Sequence, residues 1–203
     1  MTSDLVEEAM TTYEETVELE PSTAEALNAL EEIYEHKEMW HELLDTLHKQ
    51  THVVESGAPQ AVVFAKMARL ASDQLGRPED AIEFWGEVLE LKGEDHAALT
   101  ALENLYTQTE SWRDLVDVLE RQVTISQGDL HRERTLYEKL GRIWGEELDR
   151  EEKAIDNWNK VLELAPDETA PKWALIDLYE RSDRFEDFVR IGAELIGTLA
   201  SGT

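Results

Sequence analysis

The chain contains no cysteine, which removes disulfides, thiolate metal sites and cysteine nucleophiles from consideration and leaves the redox compartment open. It has no run of 18 apolar residues, so direct membrane insertion is not expected. The stretch from Met1 to Glu20 is acidic and amphipathic, without the basic start and apolar centre of a signal peptide. Basic residues are scarce, 19 Lys and Arg against 46 Asp and Glu, for a formal net charge of -27. A surface of that sign repels phosphate backbones, so nucleic acid is not an expected ligand. The same charge leaves two readings open, a partner with a basic segment or simply a solvated, self-repelling surface. No phosphate-cradling Gly loop, dinucleotide fingerprint or Ser-His-Asp arrangement occurs, and carboxylate pairs are too abundant to single any out. We therefore expect no catalysis and no cofactor.

Strict apolar/polar alternation is also missing, and what is present instead is a period near 3.6 between regularly placed Gly and Pro residues. The segment Ala81-Ile82-Glu83-Phe84-Trp85-Gly86-Glu87-Val88-Leu89-Glu90-Leu91 returns 73 residues later as Ala154-Ile155-Asp156-Asn157-Trp158-Asn159-Lys160-Val161-Leu162-Glu163-Leu164. A weaker copy, Ala9, Tyr13, Val17 and Leu19, opens the chain. In each copy a small residue, an aromatic and an aliphatic residue share one helical face. A second set recurs in the same way: Trp40, Leu43, Leu44 and Leu47 return as Trp112, Leu115, Val116 and Leu119, then as Phe185, Phe188, Val189 and Gly192. Helices are expected over 3–19, 24–36, 40–55, 59–75, 78–91 and 130–148, with others between and after them. A helix bearing such a stripe cannot bury it alone, so a recurring stripe implies recurring neighbours that stack.

Helix-turn-helix units with small, aromatic and aliphatic residues in fixed places resemble the tetratricopeptide repeat. The fullest copy shows Tyr137, Leu140-Gly141, Trp144, Ala154, Trp158, Leu162, Leu164 and Pro166. The resemblance implies an all-α, right-handed α-solenoid of about 11 antiparallel helices, read as one repeat domain over 1–203. Its parts are a half unit over 1–20 and units over about 22–56, 58–92, 94–128, 130–166 and 168–200. Glu31 and Glu103 stand where the family prefers Gly, and Leu43, Leu115 and Phe188 where it prefers Ala, so the helix crossings in those units are expected to be wider.

In that family the first helix of each unit lines a concave groove that holds a peptide or protein segment. Carried over position by position, the groove falls on Glu25, Asn28, Glu32, Glu35, Arg69, Asp73, Asn104, Gln108, Arg142, Glu146, Trp173 and Asp177. Arg69, Asn104 and Arg142 would make a stripe able to grip a carboxylate, unless the arginines pair with Asp73, Glu138 or Glu146 on neighbouring turns. Trp173 is the tryptophan expected to face a ligand, the other five falling at core positions. His48 and His52, one turn apart, form a weak metal candidate, with an exposed polar flank as the plainer account. A second expectation is self-association through terminal helices that lack capping neighbours.

Overall fold

A computed structural model describes the backbone of residues 2–201 and the side chains of residues 4–200. Eleven α-helices lie among them: α1 Thr2–Leu19, α2 Ala24–His36, α3 Trp40–Thr51, α4 Ala58–Asp73, α5 Pro78–Lys92, α6 His96–Gln108, α7 Trp112–Ile125, α8 Leu130–Arg142, α9 Glu151–Leu164, α10 Ala170–Arg181 and α11 Phe185–Ser201. They form two compact units, meeting in sequence at Leu105 and Tyr106. Among the described residues no helix is long and apolar enough to cross a membrane.

In the first unit α1 to α5 pack in chain order, each antiparallel to the one before it. Leu27 and Leu30 of α2, Leu43 and Leu47 of α3, and Val63, Met67 and Leu70 of α4 are buried together. The α4–α5 pair is built differently. Ala61, Ala68, Ala71 and Ala81 there are at most 1% exposed, and alanines on facing helices permit close approach while the bulk of Trp85 fills the space beside them. The face of α1 divides: Met10, Tyr13 and Val17 join the core of this unit, whereas Leu5 is exposed.

In the second unit α7 to α11 pack in the same sequential manner. Leu115, Val116 and Leu119 of α7 meet Leu136 and Leu140 of α8 and Ile143 beyond it. Ala154, Ile155, Trp158 and Val161 of α9 meet Leu175, Leu178 and Tyr179 of α10 and Ile191 of α11.

Three local features depart from expectation. Helix α3 stops at Thr51, not near 55, because Val53 and Val54 turn back against the core. The expected 130–148 helix is α-helical only to Arg142 and continues as a π-helical segment, Ile143–Glu147, in which the Leu148 amide donates to the Ile143 carbonyl at 3.0 Å. This wider turn sets Gly145 against α9, where an added Cβ would lie 3.3 Å from that of Ala154. Finally, Phe185 and Val189, expected in the core, are exposed; in α7 the corresponding face is covered by α8, and no described helix does this for α11. Phe188 does pack inward.

The turn inside each helix pair carries one residue of left-handed conformation: Glu38, Gly76, Glu110, Asp149 and Asp183, with φ from 51° to 61°. Three of these turns close identically, the amides of Met39, Ser111 and Arg184 each donating to the carbonyl of Tyr34, Tyr106 or Tyr179 at 2.9 Å. This is the bond pattern by which a helix end satisfies its otherwise unpaired carbonyls.

Candidate partner-binding faces

All twelve residues expected to face a partner are exposed. In the first unit α2 presents Glu25, Asn28, Glu32 and Glu35 at successive turns, a consequence of their three- and four-residue spacing. Asn28 is not fully free: the buried Gln50 of α3 donates to its Oδ1 at 3.2 Å and to Glu31 Oε2 at 2.8 Å. The carboxylate at the family's glycine position thus satisfies a buried amide, and it also pairs with Lys66 of α4.

Between α2, α3 and α4 lies a cavity of about 390 Å³. Its floor is Trp40, Leu43, Leu47 and Leu70, and its rim is Glu31, Glu35, Lys66, Arg69, Asp73 and Gln74. The Arg69 guanidinium carbon sits 5.7 Å from the Trp85 ring centre, within reach of a cation–π contact. No described carboxylate pairs with it, so the expected alternative of an Arg69–Asp73 bridge is not what forms; Asp73 accepts instead from Ser72 Oγ at 2.6 Å. Asn104 of α6 is exposed. Lys66 and Trp40 escaped the sequence reading because one faces sideways to its helix neighbour and the other looks like an ordinary core aromatic.

A smaller cavity of about 210 Å³ between α1, α2 and α3 is rimmed by Glu14, Glu18, Glu42, Asp45 and Lys49. Tyr34 Oη donates to Glu14 Oε1 at 2.7 Å beneath it. Burial, reinforced by Glu14, pushes the Tyr34 phenol far above its ordinary range, so it remains a donor.

The second unit exposes Gln108, Arg142, Glu146, Trp173 and Asp177. Arg142 makes no ion pair among the described residues; Glu138, its expected alternative partner, lies 3.5 Å from Arg134 Nε instead. Asp177 lies 3.6 Å from Arg181. Trp173 is 57% exposed, while Trp85 and Trp158 are buried and Trp40, Trp112 and Trp144 are half-buried. Lys153 caps the Trp144 ring at 3.8 Å.

His48 and His52 stand edge to face with ring centres 5.3 Å apart, both exposed. Among the described residues no group of three or more His, Asp or Glu side chains is arranged to hold a metal ion.

Residues 98–133 match the family described as tetratricopeptide repeat. No curated protein matches the sequence. Among solved structures, the MamA RS-1 ArsTM double mutant is 17% identical, with 88% of this chain and 96% of that one covered and a TM-score of 0.50. YrrB, described as a TPR protein with an unusual peptide-binding site, is 19% identical over 85% of this chain and 84% of its own, TM-score 0.49. BtubC (BKLC) from P. vanneervenii is 13% identical over 98% and 89%, TM-score 0.47.

Proposed function

We propose that the chain, whose residues 98–133 match the tetratricopeptide repeat family, is a non-catalytic scaffold that binds a peptide or protein segment on the exposed faces of α2, α4, α6, α8 and α10, as such repeats generally mediate protein–protein interactions. The mechanism is preorganisation: helices fixed by their own cores hold the binding side chains in place, so little receptor order is lost on binding. The observation that supports this most is the state of Arg69. It is exposed, has no carboxylate partner among the described residues, and stands on the rim of the 390 Å³ cavity with its apolar Trp40 and leucine floor. A segment that sets an apolar side chain on that floor and a carboxylate beside Arg69 gains both a desolvated anchor and a charge-assisted hydrogen bond. Within the same unit, Glu25, Glu32 and Glu35 of α2 favour a basic stretch elsewhere in the partner.

The test is titration of immobilised peptide libraries, with free and amidated carboxylates and with basic or neutral flanks, against the chain and its Arg69→Ala/Asn104→Ala/Arg142→Ala variant. All three positions are exposed, so circular dichroism should be unchanged. Loss of the carboxylate bond is worth roughly 1.5–3 kcal/mol, a weakening of about tenfold or more. Capture that is equally strong with the triple variant would remove these three residues from the binding faces.

A further inference from the structure

The cavity between α1, α2 and α3 shares no lining residue with the one beside Arg69, and it holds a side chain that packing alone does not explain. Thr46 of α3 lines it. This residue is only 3% exposed, yet its hydroxyl has no hydrogen-bond partner among the described residues. An enclosed hydroxyl left unbonded is unfavourable. The chain's own repeats show that the fold does not need it: where Thr46 precedes Leu47 in α3, Val118 precedes Leu119 in α7 and Ile191 precedes Gly192 in α11. Both counterparts are buried, at 4% and 1%. Valine has nearly the shape of threonine, so the hydroxyl is what α3 adds.

The facing wall departs from the repeat as well. Glu14 follows Tyr13 in α1 where Gly86 follows Trp85 and Asn159 follows Trp158. Its carboxylate accepts the Tyr34 proton, so toward any further group the phenol oxygen can act only as an acceptor. Burial, the Glu14 hydrogen bond and the charges of Glu14 and Glu42, one from each wall, push that phenol far above its ordinary range, the mark of a strongly negative surrounding. Glu18, Glu42 and Asp45 at the rim are exposed and form no ion pair among the described residues. Lys49 is the single cation in the lining.

A hollow that is negative at its rim, apolar along Val17 and Leu30 and supplied with acceptors inside suits a cation on a hydrocarbon stem. A metal ion is not that cation, because among the described residues no three ligands gather to hold one. Arginine needs a carboxylate that its planar fork can grip. Lysine is compact, its three donors diverge toward acceptors on separate walls, and its methylenes pack along apolar surface. We propose that this cavity of about 210 Å³ takes a lysine side chain of a protein partner, its stem on Val17 and Leu30 and its ammonium donating to Thr46 Oγ1, Tyr34 Oη and a rim carboxylate. The net charge of -27 draws cations to the whole surface, and the cavity selects one among them. This site does not rest on the Arg69 face.

The probe is a blocked peptide with one lysine between glycines, titrated into the full chain and followed by NMR in about 0.3 M salt, where attraction to exposed charge is largely screened. Signals of Val17, Leu30 and Thr46 should move, with millimolar affinity for a single side chain. The Nε-acetyl-lysine peptide should move none of them, and the arginine peptide should bind more weakly. Thr46→Val, which copies Val118, should weaken lysine binding about tenfold while the thermal melt stays equal or rises; Thr46→Ser, which keeps the hydroxyl, should retain most of the binding. The Arg69→Ala/Asn104→Ala/Arg142→Ala variant should bind this probe as the parent does, so the two sites fail separately. Absence of movement at these signals, movement confined to Glu25 and Glu32 of α2, or equal binding by Thr46→Val overturns the proposal. An arginine peptide that binds as tightly overturns the choice of lysine. Spermidine that displaces the peptide at lower concentration assigns the cavity to a free polyamine and overturns the protein occupant.

Discussion

Two ways of joining a pair of helices coexist in this chain, and they solve the same packing problem from opposite directions. In α2 and α3 the interface is made of leucines, Leu27, Leu30, Leu43 and Leu47. In α4 and α5 it is made of alanines, Ala61, Ala68, Ala71 and Ala81, and the second unit repeats that solution where Gly141 lies under the indole of Trp158. Large side chains fill the space between axes in the first case; in the second the axes close up and one aromatic fills the flank. Density is what both must reach, because voids and overlaps are each destabilising. The alternation also changes what the surface offers: the leucine pair leaves a cavity floored by Trp40, and the alanine pair provides the Arg69 that stands over it.

The comparison is sharpest in substitutions of opposite size. Leu47→Ala removes a side chain that is 2% exposed and should cost about 3 kcal/mol as a cavity. Gly141→Ala adds a single carbon, yet that carbon would come within 2.8 Å of the Trp158 ring, and overpacking of this kind should cost about 2 kcal/mol. Urea unfolding followed by tryptophan fluorescence measures both. A neutral Gly141→Ala would show that the indole swings aside freely and that the alanine-type junction is not tight.

A smaller effect distinguishes the starts of α2 and α6. Asp95 precedes α6 and its Oδ1 accepts from the Ala98 amide at 3.0 Å, whereas the corresponding Thr23 before α2 makes no side-chain cap. Lys92, then the Ala98 amide, hold the Asp95 carboxyl below its usual range. A depressed folded value means that the contribution is complete above the unfolded carboxylate range and is lost as pH falls through the folded value. Asp95→Ala should therefore cost about 1 kcal/mol at neutral pH. The gap between variant and parent should close on acidification below about pH 4. Thr23→Ala should cost less at every pH, and equal losses at the two caps would break the distinction.

What could be read before the fold was known follows from which interactions are local and periodic. Ala81 and Ala154 are both 0% exposed, and the burial of Trp85 and Trp158 was carried by the same spacing. Exposure of all twelve candidate partner residues follows from the helical period once the buried stripe is set. The π-helical turn at Ile143 was hidden because it depends on how Gly145 meets Ala154 across two helices. The outward Phe185 and Val189 were misassigned because register reports which residues correspond and says nothing of whether a neighbour is there to cover them. Glu31 was visible only as a departure from the family pattern; its tie to the buried Gln50 needs three dimensions.

The turns were missed for a different reason. A left-handed residue is normally announced by glycine, and the alanine pair α4–α5 does use Gly76, φ 61°. The turns before α3 and α7 place Glu38 and Glu110 in the same conformation, φ 57° and 54°, where a Cβ crowds the following carbonyl oxygen. The bond from Met39 to Tyr34, or from Ser111 to Tyr106, holds the turn and overrides that crowding. Glu110→Gly should relieve it and, after the greater freedom glycine has when unfolded is counted, stabilise by about 0.5 kcal/mol. Gly76→Glu should lose a similar amount. Reciprocal shifts in melting temperature would show that the two turns share one conformation, held by glycine in one and by its backbone hydrogen bond in the other. A destabilised Glu110→Gly would mean that the side chain itself contributes to the turn, and that the Glu110 and Gly76 turns are held in different ways.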